Sequence, residues 1–226
     1  MTTATITRAD GTSVNINLPD PGSPNLAFAQ PADRARLERV AAALTGRGFH
    51  ADVADSAADA RELALAGIPD GAEVHIALSE TMHELGITNE IDESGRYESV
   101  RMRLRALDRQ TQGREMRKLG AAPDYMLGSA HAITDGGEIL VASGSGSQIG
   151  AYAYAAGKLI LVVGHQKLVR DIDEGLRRLR EYSLPREYAR MQSLGRPGSA
   201  LGKTLILHQE IPGRTRVILV PETLGH

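Results

Sequence analysis

From Pro31 onward, the apolar residues Leu37, Val40, Ala41 and Leu44 recur at the helix period, and Gly46 and Gly48 end the run, which predicts a helix. His50 to Val53 reads as a strand, and Ser56 with Asp59 behind it reads as a capped helix start whose run stops at Gly67. Glu73 to Leu78 is a predicted strand, followed by a short helix, SETMHELG, opened by Ser79. Residues 97–119 place Val100, Leu104, Leu107 and Thr111 on one face, which predicts one long surface helix ending at Gly120. Asp124 to Ser129 and Glu138 to Ala142 read as strands around Thr134-Asp135-Gly136-Gly137, and the wholly apolar Leu159 to Val163 as another. Ile149, Tyr152, Ala153 and Ala156 mark one further helix face, and Leu168, Ile172, Leu176 and Leu179 a second. Thr204 to His208 and Thr215 to Val220 are strands flanking Pro212-Gly213. This alternation, with continuous apolar strands, predicts an α/β fold whose sheet is covered on both faces. Ahead of it, β-prone runs Thr3 to Thr7 and Thr12 to Asn17 surround Ala9-Asp10-Gly11 and precede the breaker-rich LPDPGSP. Residues 1–24 therefore read as a hairpin or loose arm, and 25–226 as the α/β domain.

Composition narrows the function. The 226 residues, 42% hydrophobic and 24% charged, suffice for a core that needs no staple. With 26 Lys and Arg against 28 Asp and Glu, the net charge of -2 argues against nucleic acid as a partner. The absence of cysteine excludes disulfides, thiolate zinc sites and cysteine-held iron–sulfur clusters. The seven histidines show no H-E-x-x-H spacing, so no metal site is expected. No run of 18 apolar residues and no basic-then-apolar start occurs, so neither a membrane span nor secretion is indicated, and cytoplasm is the default.

The chemistry concentrates at VASGSGSQIG, residues 141–150. A loop of Gly and Ser between a strand and a helix offers backbone N–H groups to a phosphate or carboxylate, with Ser143, Ser145, Ser147 and Gln148 as side-chain contacts. The competing reading is a tight connection in which the serines cap the helix. Gly144, Gly146 and Gly150 give G-x-G-x-x-x-G, one residue too long for a dinucleotide fingerprint, and no acidic residue stands downstream where the ribose would need it. Gly202-Lys203-Thr204 lacks the P-loop glycine five positions earlier, where Pro197 stands. No nucleotide cofactor is expected.

Three ordered stretches, Leu127-Gly128-Ser129-Ala130-His131-Ala132-Ile133-Thr134, Ala142 to Gln148, and Val162-Val163-Gly164-His165-Gln166-Lys167-Leu168-Val169, resemble the LUD-domain family, named for lactate utilisation. Ile68-Pro69-Asp70-Gly71-Ala72, Leu184-Pro185-Arg186-Glu187, Lys203-Thr204-Leu205-Ile206 and Pro212-Gly213-Arg214 are similar too, so the likeness covers about residues 25–226. It implies an open, mainly parallel sheet with helices on both faces, as in sugar-phosphate isomerases and coenzyme A transferases. In the isomerases a Gly-Ala-Asp turn precedes a Gly-rich loop; here Ser129-Ala130-His131 takes that place, so imidazole stands where a carboxylate would.

The resemblance and the strand-end positions nominate His131 as a general acid/base or hydrogen-bond donor, Lys167 as the cation for an anionic ligand, and Ser129 and Thr134 as flanking hydroxyls. Ser79, Glu80 and Thr81, behind another strand, form a second candidate edge, with Glu80 a possible base or all three a helix cap. The seven basic and five acidic residues from Lys167 to Arg190 read as a solvated helix face, and Glu93, Arg96 and Arg101 as a possible lid. The expected function is binding of a small anionic metabolite of lactate type at the Gly-rich loop, with acid/base or acyl-type chemistry around His131. The alternative is a noncatalytic subunit assisting iron–sulfur or redox partner chains; a homo-oligomer is expected in the first case.

Overall fold

A computed structural model describes the backbone of residues 2–7 and 13–226 and the side chains of 15–226, so the turn expected at Ala9-Asp10-Gly11 lies outside the described residues. Strands β1 (Thr2–Thr7) and β2 (Ser13–Leu18) pair antiparallel as a sheet of their own. Helix α1 (Arg34–Gly46), capped by Asp33, leads to β3 (His50–Val53), and α2 (Ala57–Leu65), capped by Ser56, leads to β4 (Glu73–Ile76). Next in the chain are α3 (Glu80–Glu84), α4 (Ile87–Glu93), the short β5 (Glu98–Ser99), α5 (Val100–Arg105) and α6 (Gly113–Ala121). Strand β6 (Tyr125–Gly128) precedes the hairpin of β7 (Ala132–Thr134) and β8 (Ile139–Ser143). After β9 (Lys158–Gly164) and β10 (Leu168–Val169) come α7 (Ile172–Arg178), α8 (Leu184–Ser193), β11 (Lys203–Leu207) and β12 (Thr215–Val220).

Six strands form an all-parallel sheet in the order β3-β12-β9-β6-β4-β5, and a second sheet of four runs β10-β7-β8-β11. Side chains of the central strands alternate between its faces. Leu159, Leu161, Val163, Val217 and Leu219 pack toward Leu37, Val40 and Leu44 of α1, while Ile160, Val162, Ile218 and Val220 pack toward Ala60 and Ala64 of α2 and Met82 of α3. This two-sided burial is why the strands read as continuous apolar runs. Among the described residues no helix is long and apolar enough to cross a membrane.

Several predicted elements differ in detail. The long helix over 97–119 is two, because Asp108 breaks it: its carboxylate accepts from the Gln110 N–H (2.9 Å) and the Thr111 hydroxyl (2.8 Å), and its own N–H donates to Gln112 Oε1 (2.8 Å). Side chains there satisfy groups that a helix would pair. Leu168 and Val169 are a strand, parallel to Ile133 and Thr134, and the helix starts only at Ile172, where Asp171 caps it. The helix expected behind the Gly-rich loop is a single π-helical turn, Ala151–Ala155. The proposed lid is tied down elsewhere, since Arg101 pairs with the Asp92 carboxylate and Arg96 with Asp70 (2.9 Å) at the edge of the sheet.

Candidate active site

The chain leaves β4 toward the edge strand β5 but leaves β6 toward β9 on the opposite side. Loops after two neighbouring parallel strands thus run apart, and the crevice left at their C-terminal ends is where open α/β sheets take ligands. A cavity of about 280 Å³ lies there, roofed by the second sheet and α8. Ser79, Glu80 and Thr81 enter it from behind β4, Ser129 and His131 from behind β6, Lys167 from behind β9, and Ser143, Gly144, Ser145, Ser147 and Gln148 from the Gly-rich loop. Eleven nominated residues from four separated stretches meet in one space. Two nominated residues do not line it: Thr134 is 1% exposed with its hydroxyl on the Glu138 carboxylate, and Gly146 faces the Lys203 side chain.

Lys167 is 2% exposed, and its Nζ donates to Thr81 Oγ1 (3.0 Å) and Ser129 Oγ (3.1 Å). Burial, reinforced by repulsion from Arg178 and opposed by Glu84, lowers its pKa to about 7. The ammonium has hydroxyl partners where a buried cation ordinarily has a carboxylate. Arg178, 0% exposed behind the site, also has no carboxylate partner among the described residues; it donates to the His131 carbonyl and to Ser183 Oγ (3.1 Å), stacks on Tyr182 with 4.9 Å to the ring centroid, and finds among them no partner for Nε and one terminal nitrogen.

His131 Nδ1 accepts from the Ala142 N–H at 3.2 Å, which puts the ring proton on Nε2, at the cavity side. Burial, then the positive charges of Lys167, His226 and Arg178, with Glu187 opposing, lower its pKa to about 3. The imidazole is a neutral N–H donor at physiological pH. It suits polarising a carbonyl or holding a carboxylate oxygen, and as a proton acceptor it has only the Nδ1 already engaged.

The Gly-rich loop is knitted largely to itself. Ser143 Oγ accepts from the Gly146 N–H (2.9 Å) and donates to Gln148 Oε1 (2.9 Å), while Lys203 Nζ donates to the Ser145 carbonyl (3.0 Å). Gly146 has φ +84°, and a Cβ there would overlap the Lys203 stem, so its conformation and this packing both call for glycine.

Sequence reasoning missed the α8 wall. Arg190 grips Glu187 bidentately (2.8 and 2.9 Å) and touches Glu80 (3.2 Å), and the His226 ring lies 3.4 Å from Glu187. Burial opposes ionisation of Glu187, but His226 and Arg190 outweigh it and hold the pKa at about 2. Glu187 and Arg190, read from charge spacing as part of a solvated face, line the cavity, and Arg178 of the same stretch is in the interior. Only the Leu184-Pro185-Arg186-Glu187 likeness hinted at this. Tyr152 was assigned to a helix face; its phenol instead packs against Gly128, accepts from the Ser129 backbone, and is pushed up in pKa by burial.

A search of curated proteins finds no match. Among solved structures, the chain is similar to a DUF162 family protein from Deinococcus radiodurans, at 16% identity and TM-score 0.52, covering 84% of this chain and 99% of that one. That likeness bears on the fold. The family model described as LUD domain matches residues 37–220, from α1 through β12, including every stretch that supplies the cavity except the C-terminal His226. The chain belongs to the LUD-domain family.

Proposed function

We propose that the chain binds a small carboxylate of the lactate type in this cavity. The observation that carries the reading is Lys167, a buried amine at the cavity wall that, among the described residues, has only the hydroxyls of Thr81 and Ser129 for hydrogen-bond partners. An incoming carboxylate supplies the missing counter-charge, and the Nε2–H of His131 donates to a second ligand oxygen. Arg190 does not compete, because Glu187 and Glu80 already neutralise it. The volume sits at the lower edge of the roughly 300–1,000 Å³ usual for small-molecule sites, which suits a metabolite and not a dinucleotide. The family association with lactate utilisation makes 2-hydroxy and 2-oxo acids the first ligands to try, and with no cysteine among these 226 residues, any cysteine-held cluster serving their oxidation is held outside them.

Isothermal titration with L-lactate, pyruvate and longer 2-hydroxy acids tests this. Saturable binding that takes up a proton near neutrality, and is lost in Lys167→Met, is the expected result; heats unchanged by that substitution overturn it.

A further inference from the structure

We propose that Ser129 and Lys167 form a nucleophile–base pair that transfers acyl groups, with the carboxylate bound in this cavity, on the reading under Proposed function, as the acid released. Four groups form a directional chain. Thr81 Oγ1 donates to the Leu224 carbonyl (3.3 Å), which leaves the same oxygen to accept from Lys167 Nζ (3.0 Å). With one N–H committed to Thr81, the neutral amine presents its lone pair to Ser129 Oγ, 3.1 Å away. A nucleophile within reach of a base that a third group orients is the arrangement activated serines require.

Placement supports the same roles. Ser129 stands on the cavity wall at the end of β6, half-buried, while Lys167 lies behind it at 2% exposure, so substrate reaches the hydroxyl before the amine. Its backbone is anchored from below, where Tyr152 Oη accepts from the Ser129 N–H. The groups facing Lys167 are Arg178 from α7, which disfavours the charged amine, Glu84 from α3, which favours it, and the neutral His131 beyond β6. The amine therefore has a substantial neutral fraction near pH 7. When the amine is charged, Ser129 donates to the Ala130 carbonyl (3.2 Å) and is idle.

In the step itself, Ser129 Oγ attacks the acyl carbon of an ester or thioester as its proton passes to Lys167 Nζ. The carbonyl electrons move to oxygen, where the Nε2–H of His131 is the available donor. Collapse expels the alcohol or thiol, which takes the proton back from the Lys167 ammonium. Water then attacks the acyl-serine, again giving its proton to Lys167, and the carboxylic acid leaves while Ser129 Oγ is reprotonated.

The test uses the full chain and an alkyl fluorophosphonate, which phosphonylates an activated serine with loss of fluoride. Peptide mass spectrometry is expected to place the adduct on Ser129, at a rate rising at least tenfold from pH 5.5 to 8, and Ser129→Ala and Lys167→Met, folded by circular dichroism, are expected to lose it. No adduct on Ser129 between pH 6 and 9, or an adduct formed equally fast in Lys167→Met, overturns the pair. Carboxylate titration separates the two readings: a protein that binds carboxylates yet leaves Ser129 unmodified overturns the pair alone, whereas Ser129 labelling without carboxylate binding supports the pair and removes the binding reading.

Discussion

The Ala142 N–H donates to Nδ1 of His131 at 3.2 Å, and this one bond decides what the histidine can do. It locks the tautomer with the proton on Nε2, facing the cavity, and burial among Lys167, His226 and Arg178 keeps the ring neutral to about pH 3.

His131→Ala is therefore expected to weaken carboxylate binding and to leave the Ala142 N–H unsatisfied, costing about 1–3 kcal/mol of stability. Wild-type binding should show no histidine step from this residue between pH 5 and 8. The folded pKa, about 3, lies below the ordinary 6.5, so the unfolded chain binds the extra proton between those values and stability falls as pH falls through that window. Urea melts at pH 4.5 and 7 should show a smaller acid loss in the variant; an equal loss would place the acid sensitivity elsewhere.

Lys167 gives the complementary signature at high pH. Its folded pKa of about 7 against 10.5 means that the unfolded chain holds more protons across this interval, so stability rises with pH from 7 toward 10.5. Lys167→Met should remove that rise. Carboxylate affinity is expected to fall by about tenfold per pH unit above 7, since binding needs the charged amine. Calorimetry at pH 6.5, 7.5 and 8.5 reads both.

Arg178→Met exchanges a buried guanidinium for an apolar chain of similar length, at the cost of its hydrogen bonds to the His131 carbonyl and Ser183. Because Arg178 repels the Lys167 charge, the Lys167 titration should move upward, visible in the pH dependence of the Ser129 and Thr81 amide shifts. An unmoved midpoint would assign the depression to burial alone.

A Cβ at Gly128 would overlap the Tyr152 hydroxyl, so Gly128→Ala should cost about 1–3 kcal/mol by overpacking. Tyr152→Phe clears part of the space and should recover some of the loss. A double-mutant cycle by urea denaturation is expected to show the two changes coupled; strict additivity would contradict the contact.

The alternation of helix-period and continuous apolar runs was enough to specify a sheet covered on both faces, because the two-sided burial of Leu159 to Val163 writes itself into every position of that strand, while its parallel order came from the family resemblance. The caps at Ser56 and Ser79 were equally legible, since a cap is a bond between near neighbours. The ordered motifs likewise marked His131, Lys167 and the Gly-rich loop. Tertiary structure alone decided that Ser129, Thr81 and Lys167 touch, because they follow three strands, β4, β6 and β9, that are neighbours in the sheet although 86 residues separate Thr81 from Lys167. It alone showed which charges are buried: Arg178 and Arg177 are neighbours in a uniformly charged stretch, yet one is fully enclosed while the other pairs with Glu181 on the surface. It alone fixed the His131 tautomer, because the Ala142 N–H that determines it lies across a hairpin whose first strand, Ala132–Thr134, carries too short an apolar signal to predict. Local patterns report each residue's own burial and nearest partners; the chemistry of this cavity depends on pairs brought together by the sheet.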